Sequence, residues 1–131
     1  MSQQHLKALE GKTALITAGA AAISVAAAEL LVRDGAAVVL MGRTLASLEA
    51  ARERIRVKYP NARVDVHRGD ACVEADVVAA VKAAFGIAQR LDVVVSTVGG
   101  GSFKPLLMLT PEEMLGDLNL NIVSALLAAK H

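Results

Sequence analysis

Short apolar runs alternate along this chain with longer stretches in which apolar residues recur every three or four positions. Four runs, at 13–17, 36–41, 63–67 and 91–95, read as strands. In the first intervening stretch Ile23, Ala27, Leu30 and Leu31 fall on one helical face, with Gly35 placed to stop the helix. The second, 44–58, turns Leu48, Ala51 and Ile55 inward and Arg52, Glu53, Arg56 and Lys58 outward. The third gathers Val77, Val81, Ala84 and Phe85 on one side and is expected to end near Gly86. A fourth helix opens on Thr110-Pro111-Glu112-Glu113 and is expected to continue to the last residue. There Thr110 can cap, Pro111 suits the first helical position, and Glu113 can bond back to the cap.

Strands that alternate with helices across short connections form a parallel sheet covered on both faces, so the fold class is α/β. The strand patterns assign places in a three-layer, doubly wound, Rossmann-like order of 3-2-1-4. Arg63-Val64-Asp65-Val66-His67 alternates polar and apolar, as an edge strand does. Val93-Val94-Val95 reads as a central strand, yet that order leaves it at the other edge. A fifth strand, not contained in these residues, is therefore expected beside it.

With 131 residues, 54% of them hydrophobic, the chain can bury one real core, and 1–131 reads as a single domain without internal linker or repeat. Two Phe, one Tyr and no Trp leave Ala, Val and Leu to fill that core. The formal net charge of +1 comes with no basic stripe, so nucleic acid is not an expected partner. No apolar run approaches the roughly 18 residues of a membrane span, and residues 1–10 are polar, unlike a signal peptide. A single cysteine, Cys72, fits a reducing cytoplasm and reads as an ordinary small residue. No metal site is expected.

Several landmarks occur in order: Glu10-Gly11-Lys12-Thr13-Ala14-Leu15-Ile16-Thr17, Arg33-Asp34-Gly35-Ala36, Gly42-Arg43, Gly69-Asp70, Leu91-Asp92-Val93-Val94-Val95, Gly99 and Asn121. From about Leu9 to the end, this ordered set resembles the short-chain dehydrogenase/reductase family. The resemblance implies an NAD(P)-dependent oxidoreductase represented by its dinucleotide-binding half, C-terminally incomplete relative to the family.

The first turn departs from the family's Thr-Gly-x-x-x-Gly-x-Gly. Here it reads Thr17-Ala18-Gly19-Ala20-Ala21-Ala22-Ile23-Ser24, so Ala18, Ala22 and Ser24 replace all three motif glycines. Those glycines give a tight turn, close approach of backbone to the pyrophosphate, and close packing of helix on strand. Ala18 is expected in an unfavourable backbone region, at about 1 kcal/mol. Ala22 would set a methyl where phosphate oxygens approach, and Ser24 would push the helix outward. One reading is a loop that now only connects strand to helix; the other is a reshaped phosphate site, with weak binding, using Thr17, Ala18, Gly19, Ala22, Ile23 and Ser24.

By the resemblance, the residue after the second strand sets cofactor choice. Arg43 stands there without an acidic residue, which favours NADP over NAD through pairing with a 2′-phosphate; the alternative is a solvated residue before a helix. Asp70 matches an adenine-contacting aspartate, or is a turn aspartate. Ser96-Thr97-Val98-Gly99 replaces the family's Asn-Asn-Ala-Gly, placing Ser96, Val98 and Gly99 near the nicotinamide region. Asn121 matches the asparagine of the family's proton relay, whose serine, tyrosine and lysine have no counterparts in these residues, so a structural role is expected for it. The chain by itself is therefore expected to be catalytically silent. The alternative reading is a non-catalytic nucleotide-binding or protein-interaction module. A homo-oligomer, most simply a dimer, is expected from the Val-rich strand 91–95 and the apolar face of Leu115, Leu118, Ile122 and Leu126.

Overall fold

A computed structural model describes residues 7–131; the polar start up to Leu6 lies outside the described residues. The strands are β1 (Thr13–Ile16), β2 (Ala37–Gly42), β3 (Val64–Arg68) and β4 (Val93–Val95). The helices between them are α1 (Ala22–Arg33), α2 (Leu45–Lys58) and α3 (Glu74–Ala88). After β4 come a 3₁₀ turn (Leu106–Met108), α4 (Pro111–Leu118), a π-helical turn (Asn119–Val123) and α5 (Ser124–Lys130). All three strand pairings are parallel, in the order β3-β2-β1-β4, which is the expected order. β4 lies at the edge, with Val94 37% exposed.

Successive strand residues point to opposite faces, and the core divides accordingly. Ala14, Ile16, Val38, Leu40 and Val64 pack with Val25, Ala28, Leu48, Ala51 and Ile55 of α1 and α2. On the other face Leu15, Val39 and Met41 meet Val77, Ala80 and Ala84 of α3 and Ala128 of α5. The aliphatic filling is dense enough that twelve of these side chains from the strands and α2 or α3 show no exposure: Ala14, Leu15, Ile16, Val38, Leu40, Met41, Leu48, Ile55, Val64, Val77, Ala80 and Ala84.

The structure corrects several local expectations. The inward stripe of α1 is Ser24, Val25, Ala28 and Val32, whereas Ile23 and Leu30 are 74% and 54% exposed. Nearly every position of α1 is apolar, so periodicity alone did not fix its rotation, and the small residues won the close face. Phe85 faces outward at 47% exposure because Ala80 and Ala84 already occupy the sheet side of α3. That helix passes through Gly86, whose Cα has open space around it, and ends where Gln89 turns left-handed at φ 54°. The last helical region runs without a gap from Pro111 to Lys130, as expected, but with a π-helical turn in its middle. Thr110 does form the full capping box with Glu113. Gly35, at φ 101°, follows the cap residue Asp34 at the end of α1, where a left-handed glycine was expected.

The start of the β1–β4 pairing is fixed by Asp92. The Thr13 amide donates to Asp92 Oδ2 at 2.9 Å, the Asp92 amide returns a bond to the Thr13 carbonyl at 2.9 Å, and Arg90 Nε donates to the carboxylate at 2.8 Å. Lys12 Nζ stands 3.5 Å away. The Arg90 bond, then the Thr13 amide, hold the Asp92 carboxyl well below the usual carboxylate range. A carboxyl depressed in the folded state contributes stability above its unfolded pKa and loses that contribution as pH falls through the folded value. Asp92→Ala should therefore lower the melting temperature at pH 7, and the gap to the parent should close as pH drops below the ordinary value of 3.8. Thermal denaturation followed by circular dichroism from pH 2 to 7 measures both; a gap independent of pH would refute this account.

Candidate functional site

The carboxyl ends of β1, β2 and β4 open onto a cleft of about 620 Å³, within the usual range for a small-ligand site. Its walls include Ala18, Ala21, Met41, Gly42, Arg43, Gly69, Asp70, Cys72, Thr97, Val98, Gly99, Asp117, Asn119 and Leu120. A second hollow of about 260 Å³ continues past Ala20 and Arg43 to Thr44 and Ser47.

The turn after β1 carries the site's main constraint. Ala18 sits at φ 49°, the left-handed region anticipated for it, and is one of two non-glycine residues at positive φ among those described. Gly19 cannot be replaced without movement: a Cβ there would lie 2.7 Å from Leu40 Cβ and 2.9 Å from Leu40 Cα. Its amide donates to the Met41 carbonyl at 2.8 Å, tying the turn to the end of β2. So the glycine that remains is the one demanded by the crossing of the turn over β2. Nothing in the spacing of the motif signals this, because the contact lies between residues far apart in sequence.

Ser24 is fully buried and joined to a knot of hydroxyls. Thr97 Oγ1 donates to the Thr17 carbonyl at 2.7 Å, Ser24 Oγ lies 2.7 Å from Thr97 Oγ1, and the Thr97 amide donates to Thr17 Oγ1 at 3.3 Å. The hydroxyl expected to act as a wedge thus ties the first turn of α1 to the loop after β4. Thr97, absent from the expected set, is the residue that completes this knot.

The start of α1 carries no side-chain cap and no acidic residue in its first turn. Its free N–H groups and positive dipole end are therefore not neutralised locally. Ala22 and Ile23 lie exposed at this start and do not line the cleft, whereas Thr17, Gly19 and Ser24 are buried behind it. Ser96 is exposed to one side. Ala18, Arg43, Asp70, Val98 and Gly99 do line the cleft. Asp70 Oδ1 accepts the Cys72 amide at 2.9 Å and its own amide donates to Asp76 at 2.8 Å, so it closes the turn that leads into α3. Burial raises the Cys72 thiol above its ordinary pKa, and the Asp70 carboxylate adds to that. Such a thiol stays protonated and is a poor nucleophile.

Asn121 lies in the π-helical turn, and its amide is spent within the chain. Nδ2 donates to the Gly100 carbonyl at 2.6 Å and the Asp117 carbonyl at 2.8 Å, and Oδ1 accepts the Gly100 amide at 3.1 Å. Beside it Asp117 accepts the Ser102 amide at 3.1 Å. Together the two side chains hold the glycine-rich loop against α4. Tyr59, the single tyrosine, caps the end of α2, packed against the core, and does not line the cleft.

The two substitutions in the first turn should act in opposite directions on stability. Ala18→Gly removes positive-φ strain and should stabilise by about 1 kcal/mol. Ser24→Gly removes a buried hydrogen bond and should cost about 1–2 kcal/mol. Urea denaturation midpoints of the two variants test this, and equal shifts of one sign would show that the knot does not matter.

The family model described as short chain dehydrogenase matches residues 12–131. An oxidoreductase, asL5, from Sarocladium schorii is 34% identical over 108 residues, which are 82% of this chain and 41% of that protein. A 2,3-dihydroxy-2,3-dihydro-p-cumate dehydrogenase from Pseudomonas putida is 30% identical over 118 residues, 90% of this chain and 45% of the relative. Among solved structures, L-sorbose reductase from Gluconobacter frateurii, in complex with NADPH and L-sorbose, is 26% identical with a TM-score of 0.86. That match covers 95% of this chain and 47% of the reductase. The chain thus spans less than half the length of these relatives.

Proposed function

Because the chain belongs to the short-chain dehydrogenase/reductase family, whose members bind NAD(P), we propose that it is the cofactor-binding part of an NADP-dependent oxidoreductase. The observation that carries this reading is Arg43 on the cleft wall, at the end of β2, without a carboxylate partner among the described residues. A dinucleotide suits the cleft: its volume is adequate, the start of α1 has free amides for the pyrophosphate, and Arg43 can pair with a 2′-phosphate. Ala18 would form the wall beside the phosphates with Gly19 holding the turn behind it, Asp70 the adenine end, and Val98 and Gly99 the floor at the nicotinamide end. The cofactor, when bound, supplies hydride transfer. The residues of this chain bind and orient it. Among the described residues, the Asn121 amide is internally bonded and Tyr59 lies away from the cleft, so neither serves as the proton donor in this reading.

Titration calorimetry with NADPH and NADH tests the assignment. NADPH should bind more tightly by about tenfold, the size of one charge-assisted contact, and Arg43→Ala should remove the preference. Equal affinities for the two would overturn the choice of NADP. The 131-residue chain alone should show no turnover with ketones, and turnover that survives repurification would refute the division of labour.

Exposed apolar surface favours a second property, self-association. Leu115 is 65%, Ile122 50% and Leu126 62% exposed, and β4 ends the sheet with an unpaired edge. A two-fold dimer through these helices or through that edge would cover the surface it uses. No described helix is long and apolar enough to cross a membrane, and with Cys72 as its one cysteine the chain suits the cytoplasm. Light scattering over a concentration series should show a dimer, weakened by Leu126→Glu if the helix is used and by Val94→Lys if the edge is used. A monomer at every concentration would end this part of the reading.

A further inference from the structure

Most arginines of this chain have a carboxylate within reach. Arg33 meets Asp34, Arg52 and Arg56 meet Glu53, Arg63 meets Asp65, and Arg90 meets Asp92. Among the described residues Arg43, Arg54 and Arg68 have none. Arg54 stands on the exposed face of α2. The other two are neighbours.

β2 and β3 set this proximity through their register. Gly42 is paired with Arg68, so Arg43 follows immediately beside it, and the Gly69 amide donates to the Gly42 carbonyl at 2.9 Å. Arg68 Nε donates to the Arg43 carbonyl at 3.3 Å. That bond uses one of five guanidinium N–H groups and lays the Arg68 side chain along the Arg43 backbone. Its remaining N–H groups have no partner among the described residues. The first turn of α2, which begins just after Arg43, carries no acidic residue either. Arg43 thus lines the cleft and Arg68 stands exposed beside its backbone, neither in an ion pair with a carboxylate among the described residues. A dianion entering beside Arg43 would be attracted by both cations. The forked donors of arginine match a phosphate monoester in geometry as well as charge.

We propose that Arg68 is a second determinant of cofactor choice, holding the Arg43 backbone through Nε and offering its terminal N–H groups to the same ribose 2′-phosphate. This rests on the reading of the cleft as an NADP site and adds to it a residue on a different strand. A mere backbone prop and a phosphate contact differ in what they discriminate. The prop would affect any adenine nucleotide; the contact affects only those bearing the 2′-phosphate.

The test uses the 131-residue chain and two probes without a nicotinamide, 2′,5′-ADP and 5′-AMP, titrated by calorimetry at two salt concentrations. The parent should prefer 2′,5′-ADP. Arg68→Ala should weaken 2′,5′-ADP about tenfold, leave 5′-AMP unchanged, and flatten the salt dependence of 2′,5′-ADP binding, with Arg68→Lys intermediate. If the parent prefers 2′,5′-ADP and Arg68→Ala keeps that preference in full, this inference is overturned while the NADP reading stands. Equal weakening of both probes makes Arg68 a prop and likewise overturns it. If the parent shows no preference, the NADP reading fails first and this inference with it. Circular dichroism melts of each variant confirm that the exposed substitutions leave the fold intact.

Discussion

The end of β1 is where this fold must satisfy two demands with the same few atoms. The backbone has to reverse sharply over the neighbouring strand β2, and α1 has to start close enough to cover the sheet. Gly19 meets the first demand, because Leu40 leaves no room for a side chain. Ser24 meets the second through its bond to Thr97, which itself holds the Thr17 carbonyl. Buried hydroxyls are costly unless bonded, and here each finds a partner within the knot. The strain at Ala18 persists because both sides of the turn are pinned. Loosening either side would release the turn and with it the wall of the cleft.

Viewed this way, the loss of motif glycines is compensated and does not leave a void. Glycine gives close packing by absence of a side chain; serine gives it here by bonding inward. The two solutions differ in rigidity, since a hydroxyl knot spans three segments: the end of β1, the first turn of α1 and the loop after β4. The far end of that loop is held by Asn121 and Asp117. The floor of the cleft is thus clamped at two points by side chains from α1 and from the last helical region.

How much of this was legible in the sequence depended on whether polarity marked the faces. For α2 the charged residues Arg52, Glu53 and Arg56 fixed the rotation, and Leu48, Ala51 and Ile55 are buried as expected. For α1 the apolar residues run nearly all the way round, so of the expected stripe Ala27 and Leu31 pack against the core while Ile23 and Leu30 are exposed, and Ser24 and Ala28 are the residues fully buried. The strand order followed from the alternation in β3 and the continuous apolar runs elsewhere, and it held. The capping box at Thr110 held because its chemistry is local. What stayed hidden was non-local: the clash that makes Gly19 necessary, the role of Thr97, and the neighbouring positions of Arg43 and Arg68. Each depends on register between segments, which no single window of sequence contains.

The π-helical turn at Asn119–Val123 has a consequence for the helix that follows. An α-helix advances about 100° per residue, so one extra residue in a turn swings everything after it by about that angle. Upstream of the turn, α4 has no buried residue; downstream, Ser124 and Ala128 lie flush against the sheet side. The turn works as a phase shifter. It lets one continuous rod present its amide at Asn121 to the glycine loop and, two turns later, Ala128 to Leu15, Val39 and Met41. A straight helix of the same composition would have to give up one of these alignments. The length of this segment is therefore under a tighter constraint than its residue types, and a single deletion within it would disturb more than most substitutions.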